Sequence, residues 1–195
     1  EDRMLNLHVF GTRALLRAAE KAKVRRFITC SSSITVCFGS KENPGTEESW
    51  FDPTPVYGKS GPLRGYYNSK LQAEDLTLGW HGLETLVLNP DYIIGPWDVK
   101  PTSGQMIVAM AKRSIPFYPL GGKCFLGAKD CADAFIAAMN RGRSGQRYLI
   151  GYHNLSYREF MSKVAEVVGK RAPSLPLPNA AVGLLGKVGE WGSQI

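Results

Sequence analysis

The first half of the chain alternates between apolar residues at helical spacing and short continuous apolar runs. The helical spacing predicts an amphipathic helix over residues 3–22. The run Val24–Cys30 predicts a short buried strand, and the serines at 31–33 follow it as a loop. Helical spacing returns at Tyr66–Leu78, and Glu84–Pro90 predicts a second strand that a proline ends. Helices that alternate with apolar strands predict an α/β fold with parallel strand pairing.

The remaining segments have weaker periodicity. Gly39–Gly65 is rich in Gly, Pro, Ser and acidic residues, which predicts a long surface loop that covers a site. The half beyond Pro90 is interpreted as a substrate lobe, with a return to the core near 130–150. Its predicted elements are a helix near 104–113, a helix near 130–140, a strand at Arg147–Ile150 and a helix at Tyr157–Gly169. Ser156 and Glu159 have the spacing of a capping box for the last helix.

Composition limits the class of protein. A chain of 195 residues with 44% hydrophobic and 21% charged content fits one globular domain, or one domain with a small lobe. Its apolar runs fall far short of the roughly 20 residues of a membrane-spanning helix, and no leader pattern precedes the first helix. The four cysteines form no CxxC pair, which favours reduced thiols over disulfides or a metal site. We therefore expect a soluble, cytoplasmic protein without a bound metal.

The net charge of +7 raises the question of an anionic partner. The densest basic cluster, at residues 21–26, closes the first predicted helix, where the helix dipole favours cations. No aromatic series that could stack on bases is interleaved with this cluster. We therefore expect no nucleic-acid partner, and an anion-binding module is the weaker alternative.

A glycine repeat near the end of the chain matches the spacing of a phosphate-binding loop. It consists of Gly183, Gly186, Gly189 and Gly192. A phosphate-binding loop follows a buried strand and opens a helix, whereas Pro176 and Pro178 precede this repeat. We therefore interpret these glycines as packing residues.

Tyr66 and Lys70 carry the strongest chemical signal, because residues four apart lie on one face of a helix. A cation about 4 Å from a phenol, at an effective dielectric of about 20, favours the phenolate by about 4 kcal/mol. That corresponds to roughly 3 pKa units below a reference near 10. The pair thus predicts a tyrosine whose pKa is lowered toward neutrality and which acts as an acid–base catalyst. The alternative is that Lys70 is an ordinary surface lysine beside a half-buried tyrosine ring, because that arrangement has the same spacing.

The order of these segments resembles that of the extended short-chain dehydrogenases/reductases, the NAD-dependent epimerase/dehydratase family. The matching segments are Asn6–Thr12, Arg26–Ser33, Tyr66-x-x-Ser69-Lys70 and Asn89–Pro96. The likeness extends from about residue 4 to residue 178. Within the family, the stretch from Asn89 to Gly104 most resembles the dihydroflavonol-reductase-like branch and related nucleotide-sugar epimerases.

The resemblance implies a Rossmann-like parallel sheet with a small α/β substrate lobe, and a catalytic tetrad. Tyr66 would pass a proton to or from the substrate oxygen, and Lys70 would tune Tyr66 and hold the nicotinamide ribose. Ser33 would hydrogen-bond the same substrate oxygen. Ser31 or Ser32 would take that role if the register of the loop differs.

Asn6 is the fourth implied catalytic residue and would steady a water that connects Lys70 to solvent. The implied cofactor is NAD or NADP. Contacts to it are implied for Cys30, Ser31, Tyr66, Lys70, Asn89, Pro90, Asp91 and Ile93. The segment that contains the last four would pass beside the nicotinamide ring, because ligands of open parallel sheets bind at the carboxyl ends of the strands.

Two departures from the family pattern bear on function. The family begins with a strand, a glycine-rich loop and a charged residue that selects the dinucleotide, and residues 1–195 contain no counterpart of this portion. The family's usual Val-His-Val-Asp-Asp stretch corresponds to Leu126–Asp130, in which only the last carboxylate matches. We expect residues 1–90 to form the carboxyl-terminal part of a dinucleotide-binding domain with the catalytic residues. Residues 91–195 would mainly form the substrate lobe.

The predicted function is hydride transfer between a nicotinamide cofactor and a carbonyl or alcohol carbon of a small-molecule substrate. A nucleotide-sugar epimerase or dehydratase uses the same centre and is an alternative. A non-catalytic truncated subunit is the alternative from another class. Relatives commonly dimerise through helices equivalent to those near 3–22 and 66–78. By this analogy alone, a homodimer is a possible assembly of the chain.

Overall fold

The computed structural model describes residues 2–99 and 103–177, and the glycine repeat at 183–192 lies outside them. The α-helices, in chain order, are α1 (Asp2–Leu5), α2 (Gly11–Lys21), α3 (Thr54–Tyr57), α4 (Pro62–Leu78), α5 (Gln105–Lys112), α6 (Ala128–Arg141) and α7 (Tyr157–Val167). The strands are β1 (Arg26–Cys30), β2 (Glu84–Pro90), β3 (Tyr92–Ile94), β4 (Phe117–Pro119), β5 (Gly122–Gly127), β6 (Arg147–Ile150), β7 (His153–Ser156) and β8 (Leu175–Leu177). Asn6–Phe10 forms a π-helical turn and Ser33–Thr35 a 3₁₀ turn.

The chain divides into two compact units. The first contains the residues up to Asp91 together with Leu126–Gly151. The second contains Tyr92–Phe125 and the described residues from Tyr152 onward. Among the described residues, no helix has the length and apolar character that a membrane span requires.

The first unit is built on a parallel sheet with the strand order β1-β2-β6. Phe27 pairs with Thr85, and Val87 pairs with Arg147. The central strand β2 is buried along almost its whole length, as is typical of parallel sheets that are covered on both faces. Its apolar side chains pack with Ala138 of α6 to form the core of this unit. The predicted parallel α/β fold is thereby confirmed.

The segment before β1 is one continuous helical run, which confirms the helix predicted over residues 3–22. The π-helical turn within it is a feature that the apolar spacing did not predict. In this turn the amide of Gly11 donates to the carbonyl of Asn6, five residues back, so that one extra residue fits into the turn. Such turns are rare in proteins, and those that occur are often found at functional sites. The π turn packs against α4.

Helix α4 begins earlier than the sequence predicts, at Pro62 instead of Tyr66. Gly61 precedes it with φ 101°, a conformation that favours glycine. A proline fits the first helical turn, because an amide there has no intrahelical partner. Tyr66 therefore lies in the second turn of α4, and the predicted long loop before it is interrupted by α3.

The second unit contains a sheet with the strand order β3-β5-β7 and a separate parallel pair, β4 with β8. Strands β5 and β7 are antiparallel, with Gly122 opposite Ser156. Phe125 stacks on Phe160, with ring centroids 3.9 Å apart, in a core that also buries Met110. The sequence did not predict these strands, because they are short and lack a regular apolar and polar alternation.

The helical and strand predictions for the remaining segments are confirmed. The helices near 104–113 and 130–140 are present as α5 and α6, and the strand at Arg147–Ile150 is β6. The capping box of α7 is also present. The Ser156 hydroxyl accepts from the amide of Glu159 at 3.1 Å, and the Glu159 carboxylate accepts from the amide of Ser156 at 2.8 Å.

Candidate active site

Tyr66, Lys70 and Glu74 share one face of α4, because they are four residues apart. Lys70 Nζ lies 5.8 Å from the centroid of the Tyr66 ring and donates a long hydrogen bond of 3.4 Å to the carbonyl of Cys30. Cys30 is the last residue of β1, so this contact places Lys70 at the carboxyl end of the parallel sheet. Tyr66 and Lys70 thus lie on one helical face, and their catalytic roles stay predictions.

The pKa of Tyr66 is shifted in the direction opposite to the prediction. Burial raises the pKa of the phenol above its usual value, a hydrogen bond with Ser32 lowers it, and the nearby Cys30 thiol raises it. The predicted lowering by Lys70 is wrong, because its ammonium lies 5.8 Å from the ring centroid and hydrogen-bonds a carbonyl, so that burial outweighs its field. The phenol is therefore protonated at neutral pH.

The serines that follow β1 have different surroundings. Ser32 has an extended backbone, and its side chain lies near enough to the Tyr66 phenol to lower the pKa of that phenol. Ser31 is buried and donates its hydroxyl to Glu74. Ser33 begins the 3₁₀ turn. The structure thus brings Ser32 to Tyr66 and not Ser33, because the chain leaves the extended conformation directly after Ser32.

The buried carboxylate of Glu74 joins α4 to strand β2 and to the loop at residues 31–35, which we call the serine loop. Its side chain is fully buried. Oε1 accepts hydrogen bonds from the hydroxyls of Ser31 and Thr35 and, at 2.7 Å, from Nδ2 of Asn89. Nη1 of Arg147, on β6, lies 3.5 Å from Oε2 and provides an opposite charge. Side chains from three elements of the first unit therefore converge on one carboxylate.

Asn89, near the end of β2, is a second link between the sheet and the serine loop. Its Nδ2 lies 3.1 Å from the carbonyl of Ser32 and 3.0 Å from the hydroxyl of Thr35. Its Oδ1 is buried and has no hydrogen-bond partner within the described part of the chain. Buried acceptors without a partner are uncommon, which makes this oxygen a candidate contact for a hydrogen-bond donor of a bound molecule.

The π turn places His8, and not Asn6, against the tyrosine. His8 Nδ1 lies 2.8 Å from Oγ of Ser69. The His8 ring packs against the Tyr66 ring with centroids 5.6 Å apart and an interplanar angle of 77°. The Asn6 side chain is exposed and makes no hydrogen bond to Lys70. Its implied role through a water therefore stays a prediction.

The sequence interpretation missed both Glu74 and His8. Glu74 lies four residues beyond Lys70, so the helical spacing that paired Tyr66 with Lys70 also reaches it. His8 lies three residues after Leu5, which places the two on adjacent positions of one helical face. Its contact with α4 depends on the π turn, for which the apolar spacing gave no signal.

The other residues with implied cofactor contacts lie in both units. Cys30 and Pro90 end β1 and β2 at the carboxyl edge of the first sheet. Asp91 follows Pro90, and its amide donates to the carbonyl of Ile150. Ile93 belongs to β3, in the second unit. Their roles toward a cofactor stay predictions.

A parallel α/β sheet with a tyrosine, a lysine and a serine near the carboxyl ends of its strands is a Rossmann-like arrangement. The sequence model of the NAD dependent epimerase/dehydratase family matches residues 1–151, so the chain belongs to that family. The predicted family resemblance is thereby confirmed.

The names of the similar proteins cover several activities. The chain is 31% identical over 179 residues to a putative dihydroflavonol 4-reductase of Synechocystis sp., covering 88% of this chain and 50% of the relative. It is 28% identical over 178 residues to sterol demethylase protein B of Methylococcus capsulatus, covering 90% and 52%. A crystal structure of a nucleoside-diphosphate-sugar epimerase from Pseudomonas aeruginosa superposes with a TM-score of 0.79 at 25% identity, covering 96% and 61%. The chain spans about half the length of the curated relatives it matches.

The network around Glu74 predicts a large loss of stability when the carboxylate is removed. In Glu74→Ala, the guanidinium of Arg147 loses its opposite charge and the Asn89 amide loses an acceptor. Removing one partner of a buried ion pair typically costs about 3–5 kcal/mol. We expect a decrease of about that size in the free energy of unfolding, measured by urea denaturation.

Asp75→Ala is the matched control, because it removes an exposed carboxylate from the next position of the same helix. It should change the free energy of unfolding by about 0.5 kcal/mol or less. Glu74→Gln keeps the shape and one acceptor and should show an intermediate loss. Equal stability of the Glu74 and Asp75 variants would contradict the structural role of this network.

The raised pKa of Tyr66 predicts a pH dependence. The folded state holds the phenol proton more tightly than the unfolded state, so this group stabilises the fold fully below about pH 10 and less as the pH rises further. The difference between ultraviolet pH titrations of the chain and its Tyr66→Phe variant should show a phenol that ionises above about pH 10. Ionisation of that phenol below pH 10 would show that the field of Lys70 dominates over burial.

Proposed function

We propose that this chain carries the reactive centre of an oxidoreductase that moves a hydride between NAD or NADP and a carbonyl or alcohol carbon. Tyr66 is the acid–base group of this reaction. The observation that carries the proposal is the Tyr66 phenol, which lies beside the Ser32 side chain and shares a helical face with Lys70. The likeness to a putative dihydroflavonol 4-reductase supports a reductase.

The residues at the carboxyl edge of the first sheet fit a nicotinamide dinucleotide. Among the described residues, Lys70 makes one long hydrogen bond, to Cys30, so its ammonium has donors left for sugar hydroxyls. The buried Oδ1 of Asn89 is an acceptor without a protein partner among the described residues. Ligands of open parallel sheets bind at this edge. The dinucleotide would exchange the hydride, and Lys70 would hold its ribose.

Burial suits Tyr66 to the role of proton donor. The raised pKa keeps the phenol protonated at neutral pH, so it has a proton to give to the substrate oxygen as a carbonyl is reduced. Ser32, whose side chain lies beside the same phenol, would turn its hydroxyl proton from the phenol to that oxygen. In the reverse direction Tyr66 would take the proton of the alcohol.

A nucleotide-sugar epimerase or dehydratase is the second candidate, favoured by the family match and by the similar epimerase structure. It would use the same residues but keep its dinucleotide through the cycle. Net consumption of added dinucleotide supports the reductase. Tightly held oxidised dinucleotide without net redox change would support the epimerase or dehydratase.

Replacement of the tyrosine tests the proposal. Tyr66→Phe, made in the longest natural form of the protein that contains this chain, should lower kcat by about 100-fold or more, because it removes the acid–base group. The dissociation constant of the dinucleotide should stay within about twofold, since the ring remains. Undiminished turnover would remove Tyr66 from the mechanism.

Paired serine variants test which hydroxyl acts with Tyr66. Ser32→Ala should lower kcat by about 100-fold, which is typical when one oxyanion donor is lost. Ser33→Ala should lower it much less, because Ser33 enters the 3₁₀ turn. The reverse order of the two effects would assign the role to Ser33.

A homodimer is proposed from the family likeness. Large apolar side chains are exposed on the helical run before β1, among them Leu7 at 70% and Leu15 at 61% exposure. Size exclusion with light scattering should then give twice the 21.4 kDa mass of this chain. The mass of a single chain at all concentrations would overturn the dimer.

A further inference from the structure

His8 is the polar residue of the π turn that faces α4, the helix that carries Tyr66 and Lys70. Its Nδ1 lies 2.8 Å from Oγ of Ser69, and this hydroxyl donates in turn to the carbonyl of Tyr66 at 2.9 Å. A short chain of hydrogen bonds therefore runs from the π turn to the backbone of the tyrosine, one turn before Lys70.

The roles of His8 and Ser69 in their hydrogen bond depend on the tautomer of His8. A serine hydroxyl has one proton. When the Ser69 hydroxyl donates to the carbonyl of Tyr66, Nδ1 of His8 is the donor to Oγ of Ser69, and Nε2 of the neutral ring carries the lone pair.

The Tyr66 ring has two neighbours that could carry charge. The His8 ring packs against it at 5.6 Å and 77°, an edge-to-face arrangement, and Lys70 Nζ lies 5.8 Å from its centroid. Burial and the charge of Lys70 lower the pKa of His8, so the ring is neutral at pH 7. Among the described residues of α1, α2 and α4, Lys70 is the charged group that contributes to this shift.

We propose that His8 is a positioning residue of the reaction, whose neutral ring holds Tyr66 through the edge contact and through Ser69. The proposal rests on the proposed function of Tyr66. Protonation of His8 would set a second cation beside Lys70, and repulsion between the two would disturb the ring that both contact. Protonation of His8 should therefore lower kcat at acidic pH.

The sign of the pH effect follows from the lowered pKa. The folded state binds the His8 proton less tightly than the unfolded state. The contribution of His8 to stability is therefore present above pH 6.5 and is lost as the pH falls below that value. The acid limb of the activity profile should lie in the same range.

Three variants in the longest natural form of the protein separate the contacts of His8. His8→Ala removes both contacts and should lower kcat by about 10- to 100-fold at pH 7, as expected when a reacting group is misplaced. The dinucleotide dissociation constant should stay within about twofold. His8→Phe keeps a ring edge without Nδ1, and His8→Gln keeps a hydrogen-bond donor without a ring. Each should restore part of kcat.

The acid limb of the pH profile, which is the fall in kcat at low pH, distinguishes a role of His8 in the reaction from a purely structural role. The limb should be present in the wild type and lost in His8→Phe and His8→Gln, which have no titrating group at this position. His81→Ala, at an exposed histidine before β2, is the matched control and should keep the limb. An unchanged limb in the His8 variants would overturn the proposal.

Nitrogen-15 NMR of this chain tests the geometry without turnover. The His8 ring should be the Nδ1–H tautomer and should titrate below pH 6.5. Titration at or above pH 6.5 would overturn the proposal. If Tyr66→Phe abolishes turnover and His8→Ala has wild-type kcat at all pH values, the His8 proposal fails and the function of Tyr66 stands. If Tyr66→Phe keeps full turnover, both fail.

Discussion

The buried carboxylate of Glu74 is the constraint on which the candidate site depends. Removing a carboxylate from water costs several kcal/mol, and the cost is offset only where hydrogen bonds and an opposite charge surround it. Ser31, Thr35, Asn89 and Arg147 supply these partners from the serine loop, β2 and β6. Because one side chain of α4 joins all of them, the helix that carries Tyr66 has a fixed position relative to the strand ends.

This constraint separates the roles of neighbouring polar residues. Ser31 faces the carboxylate and holds the loop in place, which leaves Ser32 to contact the phenol of Tyr66. On its other side the tyrosine meets the π turn through His8. The phenol is thus half-buried between fixed elements, and burial rather than the field of Lys70 dominates its acidity.

Much of the fold could be predicted because its signals are local. Parallel pairing follows from the apolar run at Glu84–Pro90, and the shared face of Tyr66 and Lys70 follows from their spacing. The remainder depends on tertiary geometry. The serine that meets the phenol is decided by where the 3₁₀ turn begins, and His8 reaches α4 only through a π turn. The pKa of Tyr66 depends on burial, which spacing does not report.

The central claim is that Tyr66 and Ser32 converge on one substrate oxygen while Glu74 holds the loop behind them. A high-resolution structure of the longest natural form with a bound dinucleotide and a substrate analogue measures this directly. We expect Oη of Tyr66 and Oγ of Ser32 both to lie about 2.6–3.2 Å from the same analogue oxygen, with Glu74 still bonded to Asn89. A Tyr66 hydroxyl directed away from that oxygen, or Ser33 in the place of Ser32, would contradict it.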